Sequence, residues 1–386
     1  MVKRAGSRAS TPSIGPALAG KKIVICCGSG GVGKTTTAAA LALAAVRRQG
    51  GRVLVLTIDP AKRLATALGL DCVANAETRV DLGRSAPADA ELWVAMLDTS
   101  ASWDSLVGRH APDAATAEQI LANPLYRNIT QRFVQSHDYI ALERLYELDR
   151  SGRYDLIVID TPPSRHALDF LDAPKRMAEF FSSSLLRWIT LPYRVGGERA
   201  GRLGYLAAKP FYQVADRILG SQFLQDIAQF FLLFQSMYDG FVQRSDAVAS
   251  LLRDERTTFV VVSTTEPAPL YEAEFLLAEL AKRRLHRGAL VLNRVVPSDI
   301  ENPLALALAT RIDTDGPPGG LSASQARVLD SMARTYLRLC VLADQEATAR
   351  RRLASFADIV VTLAEQPGDI GDVASLARLG DGLWRS

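Results

Sequence analysis

The chain is short of several things that would each name a class of protein. Only four cysteines occur in 386 residues, Cys26, Cys27, Cys72 and Cys340, and no two form a C-x-x-C pair. That excludes a zinc clasp or a thioredoxin-like pair, and so sparse a set fits a reduced, cytoplasmic compartment. Cys26 and Cys27 fall in an apolar run, where buried free thiols are common. No stretch of 18 or more apolar residues occurs, and the densest, from Phe223 to Phe234, is broken by Gln225, Asp226 and Gln229. A transmembrane helix is therefore not expected, while a peripheral position at the inner face of the membrane stays open. Excess charge is missing too: 45 Lys and Arg against 42 Asp and Glu leave +3, too little to argue for nucleic-acid binding. Residues 1–20 are basic and rich in Ser, Pro, Ala and Gly but lack the apolar core of a signal peptide, so they read as a disordered tail. No internal repeat of 20–50 residues is found.

What is present is ordinary globular composition, 48% hydrophobic and 23% charged. Seven apolar, Val/Ile/Leu-rich runs, at 23–27, 52–58, 92–97, 154–159, 258–263, 288–293 and 359–363, alternate with helical segments. Near-continuous apolar strands suit a parallel sheet covered on both faces. The expected fold is α/β, a doubly wound, mostly parallel sheet. Residues 21–386 read as one domain, with helical insertions at about 99–152 and 166–255, a flexible loop at about 296–322 and a helix around 325–339. Of the 27 aromatic residues, 13 lie between Phe180 and Phe241. They fit either the insert's own core or a groove for an apolar client helix. Only Met177 and Met237 lie in the insert at about 166–255, so the adaptable Met-rich surface of a promiscuous binder is not expected.

The chemistry is concentrated in Gly28-Ser29-Gly30-Gly31-Val32-Gly33-Lys34-Thr35, followed by Thr36. This G-x-x-x-x-G-K-T pattern sits between the apolar run 23–27 and an alanine-rich helical stretch, the strand–loop–helix context that a phosphate-binding loop needs. Glycines let backbone N–H groups converge on phosphate oxygens, and the helix start adds the positive end of its dipole. Lys34 is expected to reach the β- and γ-phosphates, and the Thr35 hydroxyl to bind Mg²⁺. Phosphoryl transfer is mostly positioning and charge neutralisation, so a carboxylate on a neighbouring strand end is also required. Asp160, after Leu156-Ile157-Val158-Ile159, supplies it. Asp59 ends another strand, before Pro60-Ala61, where it could orient or deprotonate the attacking water on the metal side of the site, or simply cap the next helix. Asn293, after Val291-Leu292, could meet an adenine edge, although an Asn after a strand is more often a turn residue.

Together these pieces resemble the arsenite-pump and tail-anchored-protein-targeting ATPase family, dimeric P-loop ATPases with a deviant Walker A motif. The resemblance covers about 21–380 and rests on the P-loop 28–36, the switch-I-like Asp59-Pro60-Ala61 and the switch-II-like Asp160-Thr161-Pro162-Pro163-Ser164-Arg165-His166. It implies MgATP as ligand, Asp59 as water-activating aspartate, Asn293 as adenine contact and Pro367 in a loop at the nucleotide's edge. Segments 59–64 and 167–176 look typical of an actinobacterial branch in which two such ATPases occur together. Two departures stand out. Where the family has a signature lysine that reaches a dimer partner's phosphates, this chain has Ser29. The family's zinc-binding C-x-x-C is also missing. The resemblance therefore implies a heterodimer with a lysine-bearing paralogue, or a homodimer in which Lys62 or Arg165 compensates. These residues fit a dimeric switch ATPase, a nucleotide-binding regulatory subunit, or a chaperone for membrane-protein helices.

Overall fold

The structure is a computed structural model that describes residues 13–58, 62–70, 75–83, 86–127, 134–162, 172–173, 175–176, 179, 221–235, 237–297, 300 and 302–384. Its centre is an eight-stranded sheet of β1 (Ile23–Cys27), β2 (Arg52–Thr57), β3 (Thr78–Val80), β4 (Glu91–Met96), β5 (Leu156–Asp160), β6 (Thr257–Ser263), β7 (Arg287–Val295) and β8 (Val360–Ala364). The order is β3-β4-β2-β5-β1-β6-β7-β8, parallel throughout except for β3, which pairs antiparallel with β4. The expected α/β fold is thus observed, with one edge strand beyond the seven anticipated. Thr78-Arg79-Val80 is too short to show any periodicity in sequence.

Every residue of β1, β5 and β6 is buried, because helices cover both sheet faces. One face carries α1 (Gly15–Leu18), α2 (Lys34–Gln49), α3 (Lys62–Ala67) and α12 (Val373–Trp384). The other carries α4 (Thr99–His110), α5 (Ala114–Ala122), α6 (Val134–Ser151), α7 (Ser221–Gln235), α8 (Tyr238–Arg253) and α9 (Pro267–Lys282). Beyond them project α10 (Pro303–Asp315) and α11 (Ala323–Leu353), packed on each other through Ala309, Ile312 and Ala333. Local chemistry sets the ends of many of these helices. Asp98 and Asp113 cap α4 and α5 by accepting from Ala101 N (2.9 Å) and Thr116 N (2.7 Å). Ser322 and Gln325 form a reciprocal capping box at the start of α11.

Two expectations are corrected. The stretch 296–322 is not a continuous loop, since it contains α10. Its Pro content misled: Pro303 stands at the first helical position, where no N–H is needed, and Asn302 accepts from Leu304 N and Ala305 N as the cap. The tail of 1–20 is not disordered over 13–20. Ile14, Ala17 and Leu18 recur at helical spacing and are buried, and Ile14 N donates to Leu383 O at 2.9 Å. Among the described residues, no helix is long and apolar enough to cross a membrane.

Candidate active site

The P-loop leaves the C-terminal end of β1, which lies between β5 and β6, and runs into α2. Two glycines cannot be replaced here. Gly28 has φ +153°, and a Cβ on it would collide with the carbonyl of Val262 on β6. Gly33, the N-cap of α2, has φ +92°, and its Cβ would meet the Asn293 amide. Only glycine adopts these conformations at such close approach. No side chain caps α2, so its first N–H groups are left for an anion.

Lys34 is buried, and its ammonium donates to the Ser29 carbonyl at 2.8 Å. The Ser29 hydroxyl is also buried and has no hydrogen-bond partner. Next to it, Thr35 Oγ1 donates to Asp160 Oδ2 at 2.6 Å, and Thr57 Oγ1 donates to the same oxygen at 3.2 Å. Register sets the Thr57 contact, because Asp160 pairs with Thr57 on one side, and its pairing with Cys26 on the other keeps it beside the strand from which the P-loop leaves. One carboxylate and two hydroxyls form the hard oxygen set that Mg²⁺ prefers, so the residues present fit that ion. Sequence reasoning missed Thr57, although a polar residue ending the apolar run Val53-Leu54-Val55-Leu56 was the available signal. The lone thiols behind the loop are inert: burial pushes Cys27 up to about 12, and burial followed by the Asp160 charge raises Cys26 as well.

Asn293 lies on β7 and is buried, with Nδ2 donating to Val32 O at 2.8 Å. It therefore ties the sheet to the P-loop, whatever else its amide contacts. Beyond it a cavity of about 450 Å³ opens between Val296 and Pro297 after β7 and, on the other side, Ala364 at the end of β8 and Gln366 after it. Pro367 is exposed at the bend that follows. Glu346 of α11 braces this corner, accepting from Val296 N at 2.8 Å and Thr265 Oγ1 at 3.1 Å. Lys34, Thr35, Thr57 and Asp160 are brought together, with Gly28–Thr36 of the loop around them and Asn293 against its far side. Asp59, Arg165 and His166 lie outside the described residues, as does most of the aromatic-rich second insert. Phe230, Phe231, Phe234 and Phe241 of that insert are core residues.

A parallel sheet flanked by helices, with a G-x-x-x-x-G-K-T loop at its central strand, defines the P-loop class of α/β nucleotide hydrolases. Within that class, residues 21–312 match the family described as Anion-transporting ATPase, and the chain belongs to that family of ATP-hydrolysing enzymes. It is similar to the ATPase GET3 of Malassezia globosa, at 26% identity over 281 residues, 71% of this chain and 73% of that protein. An uncharacterized protein of Streptomyces coelicolor is 31% identical over 286 residues, 72% of this chain and 63% of its own length. The ATPase ASNA1 homolog of Plasmodium chabaudi chabaudi is 25% identical over 274 residues, 70% of this chain and 61% of that protein.

Proposed function

We propose that this chain binds MgATP on its P-loop and hydrolyses it as one half of a dimeric switch whose partner is a lysine-bearing paralogue. The observation that carries the nucleotide reading is the meeting of Thr35, Thr57 and Asp160 beside the buried Lys34. Bound there, the metal supplies charge neutralisation across the phosphates. The chain's own groups do the rest. Lys34 exchanges the Ser29 carbonyl for phosphate oxygens, the α2 N–H groups cradle the phosphates, and Asp59 orients the attacking water. Asn293 and the loop around Pro367 border the adenine. Closure on ATP couples the nucleotide to the partner subunit through the switch-like segments that begin at Asp59 and Asp160, and hydrolysis reverses it.

Ser29 supports the heterodimer. A serine has neither the charge nor the reach to serve a facing nucleotide, so a homodimer would lack two trans cations. The protein named GET3 and the one named as an ASNA1 homolog are ATPases by name, which supports hydrolysis as the activity. The MgATP reading and the sparse cysteines together support a cytoplasmic location.

The test is steady-state ATP hydrolysis by the purified chain alone and mixed with the lysine-bearing paralogue, with Lys34→Ala as the blank. Alone, the chain should turn over at the blank rate while still binding MgATP. With the paralogue, turnover should rise at least about a hundredfold, the worth of a transition-state cation. Asp59→Asn should keep binding and lose that gain. Full turnover by the chain alone would remove the heterodimer from the reading, and failure to bind MgATP at all would remove the nucleotide site.

A further inference from the structure

The strands aim their C-terminal ends at the P-loop, and their N-terminal ends form the opposite rim. On that rim five neighbouring strands, in the sheet order β2, β5, β1, β6 and β7, each bring an exposed cation: Arg52, Arg153, Lys22, Arg256 and Arg287. Backbone bonds lock the row together. Asp155 N donates to Arg52 O (2.8 Å), Lys22 N to Arg256 O (2.9 Å) and Phe259 N to His286 O (2.9 Å). At about 4.8 Å between strands the row is about 19 Å wide. Arg253 and Arg284, on the connections beside it, are also exposed.

Asp89, Asp155, Asp254 and Glu255 are carboxylates at or beside the same strand starts, and Asp89 accepts from Gly51 N at 3.3 Å. Asp254 is held by Arg256 at 2.9 Å, and Asp155 accepts from the Arg52 backbone N–H at 2.8 Å. Arg153 reaches Glu77 at 3.5 Å, and Arg287 donates to Phe356 O at 2.8 Å. Among the described residues, Lys22 and Arg52 have no carboxylate partner. None of the exposed large apolar side chains of the described residues lies on this rim, and Tyr154, under Arg153, is buried. A nucleic acid would find no exposed aromatic platform here for base stacking. The row also lies along strand starts, not on a projecting helix or ribbon that could enter a groove.

We infer that this rim docks the protein on a bilayer surface rich in anionic lipids. A wide row of cations without a groove matches the diffuse negative charge of such a surface, where each Lys or Arg strengthens binding about fivefold. The contact leaves the P-loop end of the sheet open to ATP and to a partner subunit. It is electrostatic, with no apolar anchor, so it weakens steeply with salt.

The test is flotation of the full chain with vesicles of phosphatidylglycerol and phosphatidylcholine, against vesicles of phosphatidylcholine alone. Binding should appear with the anionic vesicles and fall as salt is raised. The double variant Lys22→Glu/Arg52→Glu should weaken it at least tenfold, with melting temperature and MgATP binding unchanged. Reversing two exposed arginines on α11, Arg327→Glu/Arg338→Glu, should leave it intact. Equal binding to both vesicle types, or to neither, overturns the inference. So does an equal loss in the α11 variant, abolition by deleting residues 1–12 (which carry Lys3, Arg4 and Arg8), or tighter binding to duplex DNA than to the anionic vesicles.

Discussion

Both faces of the sheet are lined by Val, Leu and Ile, but their helices meet in different ways. On one face α2 contributes a run of small buried residues, Ala38, Ala39, Ala40, Ala42 and Ala45, and meets α12 at Gly380. A Cβ on Gly380 would stand 2.7 Å from Ala40 O and 2.9 Å from Ala44 Cβ, so the two helices touch backbone to backbone. On the other face Trp103, Tyr139, Phe234 and Phe241 stack with ring centroids 5.2–6.5 Å apart. That face also takes in charge. Glu143 pairs with Arg244 at 2.9 Å and accepts from Tyr139 OH at 2.8 Å, while Arg244 lies over the Phe241 ring. Burial raises the Glu143 carboxyl against the lowering pull of Arg244. The contrast teaches where precision is needed. The helix that carries the phosphate loop is held by close approach of small residues, which leaves it little room to shift. The helices of the first insert and α7 and α8 are held by bulk and by one buried ion pair.

Three substitutions separate the faces, in order of expected effect. Trp103→Ala removes the centre of the aromatic stack and should cost about 4 kcal/mol, read as a lower urea midpoint, with MgATP affinity per folded molecule unchanged. Glu143→Gln strands the Arg244 guanidinium and should cost about 3 kcal/mol by the same measurement, again without touching nucleotide affinity. Gly380→Val should cost only about 2 kcal/mol, yet it levers α2 off α12 and should weaken MgATP binding. Equal affinity in Gly380→Val and the wild type would show that the alanine face does not hold the P-loop in place. A loss of affinity in Trp103→Ala would erase the distinction altogether.

The parts legible in the sequence were those encoded locally. The P-loop declares itself in eight consecutive residues, and seven of the eight strands are apolar runs. Asp160 was legible as a strand end because one apolar run stops there. What stayed hidden depends on residues far apart in the chain. Thr57 joins Thr35 at Asp160 only through the β2–β5 register, and Asn293 reaches Val32 O across 261 positions. The basic rim draws on positions 22, 52, 153, 256 and 287, so no local window shows an excess, and the chain's +3 conceals it. The start of α10 was misread for a different reason. Asn302-Pro303 serves a loop and a helix start equally well, and tertiary packing of Ala309 and Ile312 decides.

The central claim is that Thr35 and Asp160 make the metal side of an ATP site. The direct measurement is calorimetric ATP affinity with and without Mg²⁺, in the wild type and in Asp160→Asn, which keeps the side chain's shape and one oxygen able to accept from Thr35 and Thr57 but removes the charge. The account predicts that Mg²⁺ tightens binding to the wild type and that most of this gain disappears in the variant. An undiminished Mg²⁺ effect in Asp160→Asn would contradict it.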